Sequence, residues 1–151
     1  MTAKSTDVEA RPIDTRFLES LLGYNARRAA LVIIELFLKQ MAAHGLRPVS
    51  FSVLSLIQHN PGITSRQLCT ALGLLPPNLV GLLNTLVKRA LVERQPHPHD
   101  GRAMALHLTP AGKTMMKEAE KSATRLELDA TAGLSPAERQ TLLKLLKKIY
   151  E

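Results

Sequence analysis

The sequence is poor in cysteine and in aromatic residues, and both shortages limit what the chain can be. Its single cysteine, Cys69, cannot form a disulfide within the chain, and aromatic residues make up only 3%, with no tryptophan. Proteins that hold single strands or unpaired bases stack them on aromatic rings, so the composition disfavours that class. Cys69 is expected to be a small buried apolar residue, with redox sensing as the alternative.

A long hydrophobic run is also missing. The longest apolar stretch, 29–38, contains Glu35 and is too short to span a bilayer, and the N-terminal residues lack the apolar centre of a signal peptide. We therefore expect a cytoplasmic protein with no membrane association. The length of 151 residues, 45% of them apolar, suits one domain with a buried core.

Acidic residues are outnumbered by basic ones. The chain has 20 Lys and Arg residues and 13 Asp and Glu residues, which gives a formal net charge of +7. A positive potential favours a polyanionic partner, although charge alone would also suit an acidic membrane surface. Together with the shortage of aromatic rings, the charge favours double-stranded DNA.

Hydrophobic periodicity predicts a mainly α-helical chain that begins with a flexible arm. Residues 1–15 are charged and polar, so they form the arm. From about Arg16 to His44 apolar residues recur at helical spacing, and Gly45 then supplies a stop. This helix is apolar on more than one side, so part of it is expected to pack on another chain.

Helix start and stop signals continue through the middle of the chain. Ser50 is expected to cap a short helix, and Thr64 with Gln67 has the form of a capping box that opens another. Gly73 ends that helix, and the Pro76-Pro77 pair opens the next. A glycine-containing turn between two compact helices is typical of a helix-turn-helix.

A small β-hairpin is predicted directly after these helices. Two extended arms, Leu91–Gln95 and Ala103–Thr109, flank a basic tip centred on Asp100-Gly101-Arg102. A hairpin in this position makes the motif a winged helix-turn-helix. Two further helices follow, one from Thr109-Pro110 to about Thr131 and one launched by a capping box at Ser135.

With these elements placed, the chain resembles the MarR family of bacterial transcriptional regulators over residues 17–150. The resemblance rests on the run Leu86–Arg94, on the Asp100-x-Arg102 spacing, and on the L-x-L-T-x-x-G spacing from Leu106 to Gly112. One departure is Ala90, where the family usually has glycine. The turn there either avoids a left-handed conformation or carries strain.

The resemblance implies a homodimer that reads a pseudo-palindromic operator in double-stranded DNA. Two-fold symmetry would place the half-sites about one helical turn apart. The implied organisation is a single MarR-like domain, 16–151. Its N- and C-terminal helices, 17–46 and 110–151, form the dimerisation region. Between them lies a winged helix-turn-helix, 50–109, with its wing at 91–109.

One face of the recognition helix is expected to read bases. Burial of the leucines turns a polar set outward, namely Pro77, Asn78, Gly81, Asn84, Thr85 and Lys88. Asparagine can bridge the edge of adenine, and threonine and proline can touch thymine methyls, whereas this set offers no arginine for guanine. We therefore expect half-sites that lean towards A·T pairs.

The wing and the preceding helix supply the remaining predicted contacts. Arg102 is expected to enter the minor groove, where the family places the matching arginine. Asp100 is expected to orient Arg102 or Arg94, and Arg94 is either a contact or a structural residue. His99 lies on the basic tip, and the predicted phosphate contacts are Ser65, Arg66, Lys88 and Arg89.

A metal site is not expected, although three histidines lie close in sequence. His97 and His99 alternate with prolines, and no cysteine or carboxylate pair accompanies them and His107 to complete a tetrahedral set. Protonated imidazoles would instead give DNA affinity a weak pH dependence. No cofactor is predicted.

Members of the family commonly bind a small aromatic or phenolic anion. In this chain the first long helix offers a candidate set, Tyr24, Asn25, Arg27 and Arg28. The arginine pair could hold a carboxylate or the phosphates of a coenzyme A thioester. The alternative is that the arginines form ion pairs between subunits or lie in solvent.

The sequence leaves three functional classes to compare. The favoured one is a ligand-responsive DNA-binding repressor, since repression is the family's commoner outcome. A winged-helix module that docks an acidic protein is the alternative, and it would leave the outward Asn, Thr and Gly residues unused. An enzyme is disfavoured because the lone Cys69 has no paired base and no phosphate loop is present.

Overall fold

A computed structural model describes residues 12–151 as a mostly helical chain with one two-stranded hairpin. The predicted arm falls largely outside the described residues. The helices and strands are, in chain order, α1 Arg16–Glu19, α2 Leu22–Met41, α3 Pro48–His59, α4 Ser65–Leu72, α5 Pro76–Lys88, β1 Val92–His97, β2 Asp100–Leu108, α6 Pro110–Ala130 and α7 Pro136–Tyr150. This order confirms the predicted fold class, a winged helix-turn-helix with helices at both ends.

The described chain divides into two compact units, 12–32 and 33–151, with the boundary inside α2. Among the described residues, no single helix is both long and apolar enough to cross a bilayer.

The first predicted helix is broken, so the expectation of one continuous helix from Arg16 to His44 was wrong. The Ser20 hydroxyl donates to the Phe17 carbonyl at 2.6 Å, and the Asn25 amide donates to the carbonyls of Glu19 and Leu21 at 2.7 and 2.8 Å. The Asn25 amide thus satisfies the Glu19 carbonyl, while the Phe17 and Leu21 carbonyls also accept the backbone N–H groups of Ser20 and Asn25 at 3.2 Å. The chain can therefore turn after α1 without leaving them unpaired.

The second unit is built around a continuous apolar core. Phe37 and Phe51 meet edge to face with ring centroids 5.6 Å apart, and buried residues of α3, α5, α6 and the base of the hairpin belong to the same cluster. Because these elements share one core, α5 and the hairpin are held in a fixed relation. The most deeply buried side chains are Met41, Val53, Leu54, Ile57, Leu68, Leu79, Leu83, Leu86, Val92, Leu106, Met116 and Leu126.

Most of the helix signals are confirmed. Thr64 accepts the Gln67 backbone N–H while the Gln67 side chain accepts the Thr64 N–H, and a reciprocal box of the same kind opens α7. Gly73 ends α4 with a left-handed φ of +62°. The Ser50 cap was wrong, because α3 begins two residues earlier at Pro48, whose missing amide is not needed in a first turn.

The hairpin is longer than predicted and turns at a different place. Its strands pair Val92 with Leu108 through to Pro96 with Met104, and the chain reverses at Pro98-His99 rather than at Asp100-Gly101-Arg102. A proline favours the start of a turn because its φ is already fixed. A register shift after Pro96 leaves residues 101–103 without direct partners in β1.

A third extended segment, which the sequence did not predict, joins the hairpin to the helix-turn-helix. The Gly62 N–H donates to the Leu106 carbonyl at 2.9 Å, and the Leu106 N–H donates to the Ile63 carbonyl at 3.0 Å. This bridge ties the start of α4 to β2. The only signal was a pair of β-branched residues, Ile63 and Thr64, after the Asn60-Pro61-Gly62 turn, and a run of two is too short to predict a strand.

The turn between α5 and the hairpin adopts a left-handed conformation. Ala90 has φ +55° and is the only non-glycine residue with positive φ among residues 12–151. The N–H of Ala90 donates to the Val87 carbonyl and that of Leu91 to the Leu86 carbonyl, which is the Schellman pattern that glycine normally completes. Ala90 therefore does not avoid the left-handed conformation, which was the first of the two predicted outcomes, and the strain of the second stays a prediction.

Several apolar side chains lie on the surface of each unit. In 12–32 these include Phe17, Leu22 and Leu31. In 33–151 the helix α7 has no buried residue, and its exposed apolar side chains are Leu142, Leu143, Leu145, Leu146 and Ile149.

Candidate DNA interface

The recognition helix α5 presents the polar face that its periodicity predicted. Leu79, Leu83 and Leu86 are buried, and this fixes the helix about its axis. The Thr85 hydroxyl donates to the Gly81 carbonyl at 3.1 Å, so its proton is used within the helix. All six predicted residues are exposed: Pro77, Asn78, Gly81, Asn84, Thr85 and Lys88.

Two exposed apolar side chains at the beginning of α5 were missed by sequence reasoning. Leu75 precedes the helix and is 68% exposed, and Val80 lies in its second turn and is 53% exposed. Because Val80 lies three residues after Pro77 and four before Asn84, its exposure could have been read from the same helical spacing. Both enlarge the apolar surface beside Pro77, which suits contact with thymine methyl groups.

An arginine from the hairpin reaches the recognition helix. The Nη2 of Arg94, on β1, donates to the Oδ1 of Asn84 at 2.8 Å, and both residues are exposed. The sequence analysis treated Asn84 and Arg94 as separate contacts. The structure brings them together into one hydrogen-bonded pair.

A concave surface between α4 and the wing gathers three positive charges from three elements. Arg66 comes from α4, Arg94 from β1 and Arg102 from β2, and Ser65 and Asp100 line the same surface. Positive charges that converge on one concave surface suit contact with a phosphate backbone.

Asp100 holds the backbone at Arg102 rather than its guanidinium. Its Oδ1 accepts the Arg102 backbone N–H at 3.0 Å. In residues 12–151 the ion pairs join Arg16 to Asp14 and Lys121 to Glu118, and the His59 ring lies 2.8 Å from a carboxylate oxygen of Glu120. The guanidinium of Arg102 is therefore outside any ion pair in the described chain, and the orienting role expected of Asp100 acts through the main chain.

Arg89 has a role within the fold that the sequence analysis did not foresee. Its Nη1 and Nη2 donate to the carbonyls of Gly45 and His44 at 3.0 and 2.8 Å. These carbonyls end the 3₁₀ turn Ala42–His44, where a cation is favoured by the helix dipole. Two of its five donors are thus used to fix the end of α5 to this turn.

The three histidines do not form a ligand set. The rings of His97 and His99 stand edge to face at 6.1 Å, while His107 lies next to Gly62. In the part of the chain that the structure describes, no three His, Cys, Asp or Glu side chains are placed to hold a metal ion.

The candidate effector residues all lie on α2 within the first unit. Tyr24 is half-buried, and Arg27 and Arg28 are exposed. The Asn25 amide donors are already used at the break after α1, so Asn25 has only its carbonyl oxygen to offer a ligand. Cys69, in the second unit, is half-buried rather than fully buried and packs against the core.

Comparisons with known proteins agree with this geometry. The model of the MarR family matches residues 44–103. A protein assigned as transcriptional regulator of the hcr operon in Thauera aromatica is 32% identical over 130 residues, which span 85% of this chain and 78% of that protein.

Solved structures of CouR and of MarR match almost the whole chain. The repressor CouR bound to a 23-mer DNA duplex is 38% identical with a TM-score of 0.88, covering 93% of this chain and all of that one. CouR bound to p-coumaroyl-CoA matches with a TM-score of 0.81, covering 91% of this chain and 96% of that one. A mutant of MarR from E. coli complexed with operator DNA is 26% identical with a TM-score of 0.81, covering 92% of this chain and 100% of that one. The chain belongs to the MarR family of DNA-binding transcriptional regulators.

Proposed function

We propose that the chain is a repressor that binds a pseudo-palindromic operator as a homodimer and is released by a small aromatic or phenolic acid or its coenzyme A thioester. The observation that carries the DNA-binding part is the concave surface where Arg66, Arg94 and Arg102 converge beside the exposed face of α5. Convergent cations next to an exposed polar helix match the requirements of major-groove reading with backbone anchoring.

Each predicted contact has a role in this proposal. Arg102 enters the minor groove from the wing, with His99 nearby on the turn. Ser65, Arg66 and Lys88 anchor phosphates, and Arg89 adds to them only through donors that its bonds to His44 and Gly45 leave free. The base-reading residues are Pro77, Asn78, Gly81, Asn84, Thr85 and Arg94.

Exposed apolar side chains support the homodimer. On α7, Leu142, Leu145, Leu146 and Ile149 recur at spacings of three and four residues, so they form one stripe. A stripe of this size is unfavourable in water and is typical of a helix that packs on a partner. A second copy of this chain is the partner that the pseudo-palindromic operator requires.

The effector part of the proposal rests on α2. Arg27 and Arg28 are exposed next to the half-buried ring of Tyr24, a combination that suits an aromatic group attached to an anionic tail. The similarity to CouR, of which one structure contains p-coumaroyl-CoA, supports a thioester over a free acid.

The DNA-binding part is tested by titrating salt against affinity for duplex fragments that flank the chain's own gene. Arg66→Gln should make the slope of log K against log salt shallower by about one unit, because one phosphate contact is lost. Arg102→Gln should weaken binding to the best fragment. Arg125→Gln, which removes an exposed arginine of α6, is the matched control and should change neither. Equal binding by all three variants would contradict the proposal.

The effector part is tested by adding p-coumaroyl-CoA, p-coumarate or coenzyme A to the DNA complex. We expect the thioester to release the protein, and the double variant Arg27→Gln with Arg28→Gln to need at least about tenfold more of it, because charge-assisted bonds are lost. DNA affinity without effector should be unchanged in that variant. Indifference to all three compounds would contradict this part alone.

A further inference from the structure

The bond between Arg94 and Asn84 changes what the recognition helix offers to DNA. We propose that this pair reads the guanine of one G·C base pair in each half-site, in place of the adenine that the sequence led us to expect for Asn84. The inference rests on the proposed DNA-binding function and adds to it the base that this part of the interface selects.

The register of the hairpin explains why Arg94 reaches the helix. Arg94 pairs with Leu106, and Val92 pairs with Leu108, so all four side chains leave the same face of the hairpin. Val92, Leu106 and Leu108 are buried on that face. The stem of Arg94 therefore starts on the inward face, and its guanidinium emerges where α5 packs, at 2.8 Å from Asn84.

The chemistry of this contact fixes the orientation of the Asn84 amide. A guanidinium has donors only, so the Asn84 atom that faces it must be the oxygen. The Asn84 nitrogen with its two hydrogens then faces away from Arg94. Arg94 keeps four further N–H donors, and together the two side chains present donors to the groove.

A surface of donors fits guanine better than adenine. The major-groove edge of guanine carries two acceptors, N7 and O6, whereas that of adenine carries the N7 acceptor and the N6 donor. An amide that bridges adenine must turn its oxygen towards N6, but this oxygen already faces the cation of Arg94. Placing the N6 donor there would set it against a charged donor.

This changes the expectation at one position only. Pro77 and the exposed Val80 still favour A·T pairs near the beginning of α5. The recognition helix itself carries no arginine that could bind guanine. The guanidinium comes instead from β1, ten residues further along the chain.

Selection of bound duplexes from a random library, read out by sequencing, tests the inference. The wild-type protein should select one G·C pair in each half-site, related by two-fold symmetry, over A·T by at least about tenfold, as expected for a bidentate contact. Methylation of the N7 of that guanine should block binding. Arg94→Gln should lose this preference while the selection at every other position stays.

Two further variants keep the test independent of folding. Asn84→Asp can still accept from Arg94 but replaces the donor amide with an acceptor oxygen, so it should also lose the preference for guanine. Lys88→Gln, the control, should weaken binding to all sequences and leave base preference unchanged. Neither residue is buried.

The outcomes separate the two proposals. Selection of A·T at the position that responds to Asn84→Asp, or a guanine preference that survives Arg94→Gln, would overturn the inference and leave the proposed function standing. A wild-type protein that binds no duplex would overturn the proposed function and this inference with it.

Discussion

Among single residues, Gly112 and Ala90 decide how the wing joins its neighbouring helices. The Gly112 N–H donates to the Thr109 hydroxyl at 3.0 Å, and that hydroxyl donates to the Ala90 carbonyl at 2.6 Å. The first turn of α6 therefore packs directly against the end of α5. This contact gives a physical reason for the L-x-L-T-x-x-G spacing on which the family resemblance rests.

Replacing Gly112 with alanine should destabilise the protein by about 3 kcal/mol, at the upper end of overpacking effects. A Cβ at this position would overlap the Leu91 carbonyl oxygen, which is backbone and cannot rotate away. Gly133→Ala is the matched control, since nothing lies within 4 Å of its added Cβ and its φ is not positive. Urea unfolding measures both; equal stability of the two variants would show that the close packing is absent.

Replacing Ala90 with glycine should stabilise the protein by about 0.5–1 kcal/mol. The left-handed conformation at φ +55° costs alanine energy that glycine does not lose, and this gain exceeds the entropy of a more flexible unfolded chain. Ala71→Gly, on the exposed side of α4, should instead destabilise by a similar amount. If calorimetry finds Ala90→Gly less stable than wild type, the left-handed conformation does not strain the folded protein at Ala90.

Residue roles were predictable where one helix determines them and not where two elements meet. Burial of Leu79, Leu83 and Leu86 could be read from spacing, and the exposed face of α5 followed. The bonds of Arg94 to Asn84 and of Arg89 to His44 could not, because each joins segments whose approach depends on the whole core.

At the scale of elements, the capping box of α7 depends on a carboxylate. The Ser135 N–H donates to the Glu138 carboxylate at 2.8 Å. This bond has the largest effect on the pKa of Glu138, and the hydrogen bond with the Ser135 side chain has the next largest. Both lower that pKa below the 4.5 of an unperturbed glutamate. A lowered folded-state pKa means that the stabilisation is complete above 4.5 and is lost as the pH falls through the folded value.

We therefore expect NMR to show the Ser135 amide resonance moving with the titration of Glu138, at a midpoint below 4.5. In Glu138→Gln the amide oxygen still accepts the bond but does not titrate, so the movement with that midpoint should vanish. A midpoint at or above 4.5 in the wild type would contradict the capping geometry.

Elements were predictable where a local signal fixes their ends. Thr64, Gly73 and Ser135 act within a few residues, and each prediction held. The break after α1 depends on side-chain bonds from Asn25, and the hairpin turn depends on the register shift after Pro96. Neither is visible in hydrophobic periodicity, so the first helix was predicted to be too long and the hairpin turn was predicted at the wrong residues.

At the scale of the whole molecule, the account requires two copies of the chain. Replacing Leu145 and Ile149 with glutamate should make the protein monomeric, because both side chains lie on the exposed apolar stripe of α7. Its helical content should persist, since neither side chain contributes to the core. Sedimentation velocity measures the mass; Lys144→Glu, which reverses a charge on the same helix outside the stripe, should remain dimeric. A dimeric double variant would place the interface elsewhere.

Whether two copies of the chain read one operator can be decided by hydroxyl-radical footprinting of the wild-type protein on the duplex that it selects, with the mass of the complex measured by light scattering. We expect two chains on one duplex and two protected half-sites with centres about one helical turn, 10–10.5 base pairs, apart. Half-sites that are related by two-fold symmetry would confirm the paired reading by α5 and the wing. A single protected patch bound by one chain, or no protection on any duplex, would contradict the account.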